Sequence, residues 1–346
     1  MSRILKISAP SIISPLTYIF NNVLRSGIFP DRMKYSIIKP LHKKGTTDEL
    51  ENYRPISLLT TLSKILEKII YKRLYVNLEK HKILSEDQYG FREKLSTYSA
   101  ISPLINPILK AFEEKKFVGG LFCDIHKAFD CVNHEILLAK LETYGISGSS
   151  KKLIQSYLKD RYQRVVISND TNINSNSSWT LVKHGVPQGS VLGPLLFLIY
   201  INDLAFILRK HANPILFADD TSVIISSSNE NEFKNTLNLV INKIVNWCKT
   251  NLLTINIEKT QFMQFYTNHH KKLDFQISVN DLIITNATSI NFLGLQLDNK
   301  LTWKAYSSEL VIKLNKACYA IRAIKPLVSQ KVLISVYYSY FHSVLV

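Results

Sequence analysis

Apolar residues return with helical spacing over 11–26, and the run stops at Gly27. The segment FPDRMKYSIIKPLHKKG then predicts a strand over 35–41 that enters a basic turn. Beyond the acidic stretch TTDELEN, YRPISLLTTLSKILEKIIYKRL sets Leu62, Ile65, Leu66, Ile69 and Ile70 at helical spacing. Lys64, Lys68, Lys72 and Arg73 lie on its other face, which reads as solvated before it reads as a nucleic-acid ridge. FVGGLFC, 117–123, is a strand that ends on Asp124. Helices are expected over 134–144, where Gly145 stops the first, and over 150–160, followed by a polar hairpin at 162–182.

GVPQGSVLGP, 185–194, is a Gly/Pro-braced loop that enters a helix with Leu192, Leu195, Leu196 and Ile199 on one face. A hairpin over 215–225 leads to an amphipathic helix over 232–249, apolar at Leu237, Val240, Ile241, Ile244, Val245 and Cys248. A strand pair follows around 252–266, with Lys259 between its runs. The Asn/Ser-rich stretches 168–178 and 226–231 read as surface loops. Together these elements predict an α+β fold, an antiparallel sheet backed by helices.

Composition narrows the function. The 346 residues are 46% hydrophobic and 20% charged, enough for two or three subdomains on a sizeable core and unlike a disordered chain. Forty-three basic residues against 27 acidic ones leave a net charge of +16, which costs self-repulsion unless a polyanion offsets it, and nucleic acid leads the candidates. Cys123, Cys131, Cys248 and Cys318 form no C-x-x-C pair and read as reduced core thiols; His269-His270 reads as a loop. The longest apolar run, 191–201, contains Gly193 and Pro194 and is short of the ~20 residues a membrane span needs. ISAPSIISPL lacks a signal-peptide core, so the expected setting is intracellular, cytoplasm or nucleus, with no membrane.

In this basic chain ILFADDTSVI puts Asp219 and Asp220 between two apolar runs. By itself the pair is also an ordinary two-residue hairpin turn with both acids in water. Its chemical alternative is a site for hard cations, which needs a third acid. Asp124 supplies one: if its strand pairs beside the 215–225 hairpin, Asp124 and Asp219 converge on a metal pair ~3.5–4 Å apart, as in-line phosphoryl or nucleotidyl transfer requires. Gly185 and Gly189 leave the backbone around Gln188 bare, which suits either close approach to a nucleotide or a tight turn.

The ordered blocks KPLHKKG, NYRPISLL, SKILEKI, QYGFR, FCDIHKAFDCVNHEILLAKLETYGI, GVPQGSVLGPLLFLIYINDL, ILFADDTSVI, LTINIEKTQFM and FLGLQLDNKLTW resemble the reverse transcriptase domain of non-LTR (LINE-type, jockey-like) retrotransposons, from about residue 9 to about 305. The resemblance implies a right-hand polymerase fold: an N-terminal helical segment (1–30), fingers (31–117), a palm (118–298) and the start of a truncated thumb (299–346), with the reverse transcriptase domain at about 21–298. It implies RNA-directed DNA synthesis from deoxynucleoside triphosphates on an RNA template and DNA primer, with two Mg²⁺ ions. Asp124, Asp219, Asp220 and the Ile125 carbonyl match the metal ligands. Lys259 matches the lysine that protonates pyrophosphate, and Phe129 the ring beneath the incoming sugar. Gln188 and Gly189 match the loop on the nucleotide–template pair. Lys43 or Lys44, Arg54 and Arg92 match triphosphate-gripping cations, while Asp130 is expected to be structural.

The match has departures. Trp303 is followed by KAYSS, with Tyr306 near the position where the family has His, and the chain ends at YYSYFHSVLV. A fragment or degenerate copy of a longer element protein is therefore expected. The competing expectation is an inactive remnant that only binds nucleic acid. Oligomeric state is not legible.

Overall fold

The structure is a computed structural model that describes residues 2–168, 174–267, 273, 277–279 and 282–345. His269-His270 and part of the 168–178 stretch lie outside the described residues. Helix α1 (Ser2–Ser26) is longer than its predicted 11–26 core and runs through Pro10 and Pro15. Strands β1 (Tyr35–His42) and β2 (Tyr53–Leu58) pair antiparallel, with Leu41 opposite Arg54. Thr60 then starts α2 (Thr61–Lys80), its side chain accepting the Ser63 N–H. The buried stripe of α2 is centred on Leu66, Glu67, Ile70 and Leu74, while Ile65 is exposed, so the face is rotated from the one the apolar residues suggested.

Helix α3 (Thr97–Glu113) has no counterpart in the sequence reading. Pro103 and Pro107 disguise it, yet Ala100, Leu104, Ile105, Ile108 and Ala111 form a buried face. Next come β3 (Phe117–Ile125), α4 (His134–Thr143) and α5 (Gly148–Leu158), then β4 (Arg161–Ser168), β5 (Asn174–Asn176) and β6 (Thr180–Val182). The 162–182 hairpin exists as β4 with β5 and β6, and β4 also pairs parallel with β1. Strands β4, β5 and β6 therefore share a sheet with β1 and β2 although they fall within 118–298.

Helix α6 (Leu192–Arg209) is apolar on every side and serves as the axis of the larger core cluster. By length and composition it could cross a membrane, but 72% of it is buried inside the molecule. Strands β7 (Asn213–Phe217) and β8 (Asp220–Ser227) form the hairpin that leads to α7 (Glu230–Thr250). The stretch 226–231 is not a free loop: Ser226 and Ser227 close β8, and Asn229 caps α7 by accepting the Asn231 N–H at 2.8 Å.

Strand β9 (Ile255–Phe265) is one continuous element, which corrects the expected strand pair around 252–266. Its register against β3 shifts between Phe122 and Asp124, so extra residues, Lys259 among them, bulge within a single strand. Strands β10 (Ile277–Val279), β11 (Leu282–Asn286), β12 (Ser289–Phe292) and β13 (Leu295–Asp298) complete the sheets.

The main sheet runs β10-β11-β9-β3-β8-β7, antiparallel except for β11 beside β9. Helices α6 and α7 pack on one face; α3 and the β12–β13 hairpin enclose a second cluster with Val118, Ile224 and Met263 on the other. The α+β expectation holds, with β3 at the centre. The chain closes with α8 (Lys304–Ile324), α9 (Gln330–Val336) and α10 (Ser343–Leu345). Cys123 and Cys248 are buried free thiols, while Cys131 and Cys318 are partly exposed.

Candidate active site

Strands β3 and β8 pair with Cys123 opposite Thr221, and the next step of that register brings Asp124 across from Asp220. The hairpin turn consists of Ala218 and Asp219, because Phe217 pairs with Asp220. This differs from a turn made by the two acids: Asp220 already belongs to the strand. Ala218 holds φ at +57°, a conformation that a side chain disfavours, so the turn needs support from outside.

Gln88 provides that support. Its Oε1 accepts the N–H of Ala218 at 3.0 Å and of Gly90 at 2.8 Å, while Tyr89 N donates to Leu216 O at 2.8 Å and Leu216 N to Asp87 O at 2.8 Å. Residues 87–90 thus line the last part of β7. A Cβ on Gly90 would lie 2.3 Å from Ala218 N, so nothing larger than glycine lets the segments meet.

The acids are electrostatically crowded. Desolvation raises the Asp219 pKa; Asp124 raises it further, against the lowering effects of a backbone hydrogen bond, Lys43 and Arg54. Asp220 has an exposed surface, yet desolvation and then repulsion from Asp219 and Asp124 push its pKa up to about 6, with Lys43 opposing. Lys43, not its neighbour Lys44, is the cation whose charge acts on both. Its N–H donates to Asn52 O at 2.8 Å, which closes the β1–β2 turn, and Arg54 lies on β2 beyond it. Lys259 Nζ is 3.7 Å from Asp124 Oδ2. Ile125 closes β3 opposite Ile255, with its side chain buried. Arg92 is engaged elsewhere: it forks onto Glu79 with both contacts at 3.1 Å and donates to Ser85 O at 2.8 Å, tying α2 to the 85–92 segment.

The 185–194 loop is braced from three sides. Gln188 Nε2 donates to both Asp130 oxygens, at 2.9 and 3.0 Å, which gives Asp130 a structural contact. Ser57 N donates to Gln188 O at 2.7 Å, tying the loop to the edge of β2, and Gly189 sits beside Ser57 with φ at +105°. Glu67, fully buried, accepts the N–H of Val191 at 2.7 Å and of Leu192 at 3.3 Å on one oxygen and the Ser63 hydroxyl at 3.0 Å on the other. A carboxylate there answers two orphan donors and the positive end of α6. The ring of Phe129 stacks on Phe197 at 4.5 Å and meets Phe91 edge-on at 6.0 Å.

The reverse transcriptase (RNA-dependent DNA polymerase) family matches residues 41–297, which hold all of these acids. The chain belongs to that family. It is 34% identical over 301 residues to a probable RNA-directed DNA polymerase from transposon BS of Drosophila melanogaster, covering 83% of this chain and 32% of that protein. It is 30% identical over 316 residues to the RNA-directed DNA polymerase from mobile element jockey of the same species, covering 89% and 34%. The chain thus spans about a third of the length of these relatives. Among solved structures it is similar to apo telomerase from Candida tropicalis truncated from its C-terminal domain, with a TM-score of 0.55 and 14% identity over 80% of this chain and 55% of that one. The architecture is the right-hand polymerase fold.

Gln88 and Glu67 of this reverse transcriptase domain escaped the sequence reading. A carboxylate inside the apolar stripe of α2 was the available signal for Glu67; Gln88 had only its place in the QYGFR block. A third omission is the β12–β13 tip. A cavity of 170 Å³ is lined by Asp124, Asp220 and Lys259 on one side and by Asn291, Phe292 and Leu293 on the other. Among the described residues no three His, Cys, Asp or Glu side chains enclose an ion by themselves. Mg²⁺ takes one or two carboxylates and completes its shell with water and substrate phosphates, so hard, partly desolvated carboxylates beside an open cavity are a fitting donor set.

Proposed function

We propose that the chain is an RNA-directed DNA polymerase that adds deoxynucleotides to a primer 3′-OH on an RNA template. The observation that carries this reading is the convergence of Asp124 with Asp219 and Asp220 at one end of the β3–β8 pair, within reach of the charges of Lys43 and Arg54. Phosphoryl transfer leaves the protein mainly positioning and charge neutralisation. Two Mg²⁺ held by Asp124, Asp219, Asp220 and the Ile125 carbonyl would supply activation of the 3′-OH and neutralisation of the in-line transition state.

The remaining roles belong to the chain. Arg54 presents a planar fork to triphosphate oxygens and Lys43 a point charge, while Lys44 and Arg92 are lesser candidates in this geometry. Lys259, beside Asp124, holds the proton for departing pyrophosphate. Phe129, backed by Phe197, supports the sugar. Gln188, held by Asp130, and Gly189, at the edge of β2, meet the nucleotide–template pair. The cavity toward Asn291 and Leu293 receives the primer end. In this reading 31–117 with the 161–182 hairpin forms the fingers, 118–298 otherwise forms the palm, and 299–346 begins the thumb. Buried free thiols suit a reducing, intracellular setting.

The test is extension of a DNA primer on an RNA template with Mg²⁺ and deoxynucleoside triphosphates. Template-dependent addition supports the reading. A folded chain that binds the duplex but adds nothing supports the binding-only alternative.

A further inference from the structure

Beneath the 185–194 loop lies a buried polar joint that the proposed chemistry does not use. Tyr157, near the end of α5, and Arg161, the first residue of β4, are both fully buried. Arg161 lies 4.7 Å over the Tyr157 ring and its Nη1 donates to Tyr157 O at 3.1 Å, while Phe29 meets the same ring edge-on at 5.1 Å. The Tyr157 hydroxyl and Arg161 Nη2 nevertheless have no hydrogen-bond partner among the described residues. Buried polar groups are almost always paired, so two orphans on neighbouring side chains point to a second arrangement of this region.

An acceptor stands beside them. A carboxylate offers about four acceptor sites; Val191 N and Leu192 N occupy one oxygen of Glu67 and the Ser63 hydroxyl the other, which leaves about one. Burial and then the Glu67 charge push the Tyr157 pKa up, while Arg161 and the Ser190 side chain oppose them. The hydroxyl is therefore near Glu67 and Ser190 without bonding to either. Because Arg161 and Phe29 clamp the ring, the missing approach has to come from α2 and from the loop that Glu67 holds. The start of that loop is pinned: Gly185 N donates to Val132 O at 2.8 Å, Val186 N to Phe129 O at 2.9 Å and His134 Nε2 to Gly185 O at 2.8 Å. Movement is left to its far end, where Gln188 and Gly189 lead to Val191 and Glu67.

We propose that Tyr157 is a positioning residue for nucleotide addition: its hydroxyl donates to Glu67 only when a nucleotide seats against Gln188 and Gly189 and draws the loop and α2 toward α5. The proposal rests on the polymerase reading for the identity of that ligand. A clamped phenol on α5 then holds the occupied loop through Glu67 without touching the nucleotide.

Tyr157→Phe removes the hydroxyl and keeps the ring. Affinity of the full chain for the deoxynucleoside triphosphate that complements the template base is measured with Mg²⁺ on a primer–template whose primer ends in a dideoxynucleotide, so no chemistry is needed. The variant should bind that nucleotide about tenfold more weakly, the weight of one hydrogen bond to a charged group. Its urea midpoint without nucleotide should stay at or above the parental one, since no bond is lost there. On an extendable primer KM should rise by the same factor with kcat little changed, as for a contact made equally in the bound and transition states. In a Glu67→Gln background Tyr157→Phe should cost less nucleotide affinity than in the parent, while the two effects on urea midpoint add. A lower urea midpoint with parental nucleotide affinity shows a hydroxyl already bonded in the free protein, by water for instance, and overturns the proposal; so does full additivity in nucleotide affinity. If the parent extends primers and Tyr157→Phe binds nucleotide normally, the polymerase reading stands and the positioning role falls; a parent that binds no nucleotide removes both.

Discussion

Gln88 holds the backbone of Ala218, its Oε1 accepting that N–H at 3.0 Å from 130 residues away in the chain. Ala218 is the left-handed residue immediately before Asp219, so a buried amide fixes the turn on which the acids stand.

Gln88→Ala should therefore lower activity without touching an acid. Loss of the acceptor leaves buried donors unpaired, at a cost of about 1–3 kcal/mol, and lets the turn relax. The expected outcome is a folded protein with a clear loss in urea midpoint and a primer-extension rate reduced about tenfold or more, since small misplacements of reacting groups are costly. A folded variant with the parental rate would show that the turn holds without this bond.

Much of the site was legible because short apolar runs flanked by Gly and Asp mark strand ends. Asp124 and the 215–225 hairpin emerge from that pattern, and α6 and α7 from the helical spacing of their apolar residues. What stayed hidden depends on distant partners. Neither the parallel pairing of β4 with β1 nor the bond from Glu67 to Val191, 124 residues on, leaves a local periodicity to read. Helix α3 was hidden for the opposite reason: Pro103 and Pro107 are strong local breakers, and burial of Leu104 and Ile108 overrides them. The apolar stripe of α2 was misplaced because its true buried face includes a charged residue.

Glu67 gives a second expectation. Glu67→Ala removes the partner of two N–H groups at the start of α6, so a loss of about 3 kcal/mol or more is expected, as when one side of a buried charged contact is removed. Glu67→Gln keeps an acceptor and should lose less. In both, the KM for the incoming nucleotide should rise more than kcat falls, because the loop that carries Gln188 is loosened while the acids stay in place. Equal effects on kcat and KM would contradict this division.

Phe129 tests the proposed sugar contact. A ring backed by Phe197 at 4.5 Å has little freedom to retreat, and a 2′-hydroxyl is what distinguishes the two nucleotide classes. Phe129→Val should admit ribonucleotides far better while slowing deoxynucleotide addition only modestly, read by single-nucleotide extension with each triphosphate. An unchanged preference in the folded variant would leave the ring as core.

Asp220 carries a pH expectation for the metal-free protein. Its folded-state pKa is raised to about 6, above an unfolded value near ~3.9, so the folded state binds more protons between those limits and loses stability as pH rises through them. Asp220→Asn should therefore be the more stable protein in EDTA above pH ~6, by about 1 kcal/mol once solvent screening is allowed for. The gap in urea midpoint should close as pH falls toward ~4. A gap that is absent or opens on acidification would contradict the crowding of the three acids.

In the proposed function Asp219 serves the chemistry and not the binding of nucleic acid. The direct measurement sets primer extension beside primer–template affinity for the parent and Asp219→Asn, with Mg²⁺ present. An amide cannot supply the charge that holds a hard cation, so extension should fall at least about a hundredfold, given the several kcal/mol that metal-ion stabilisation contributes. Affinity should stay within about twofold, since phosphate contacts from Lys and Arg dominate binding. Extension by Asp219→Asn near the parental rate would contradict the account.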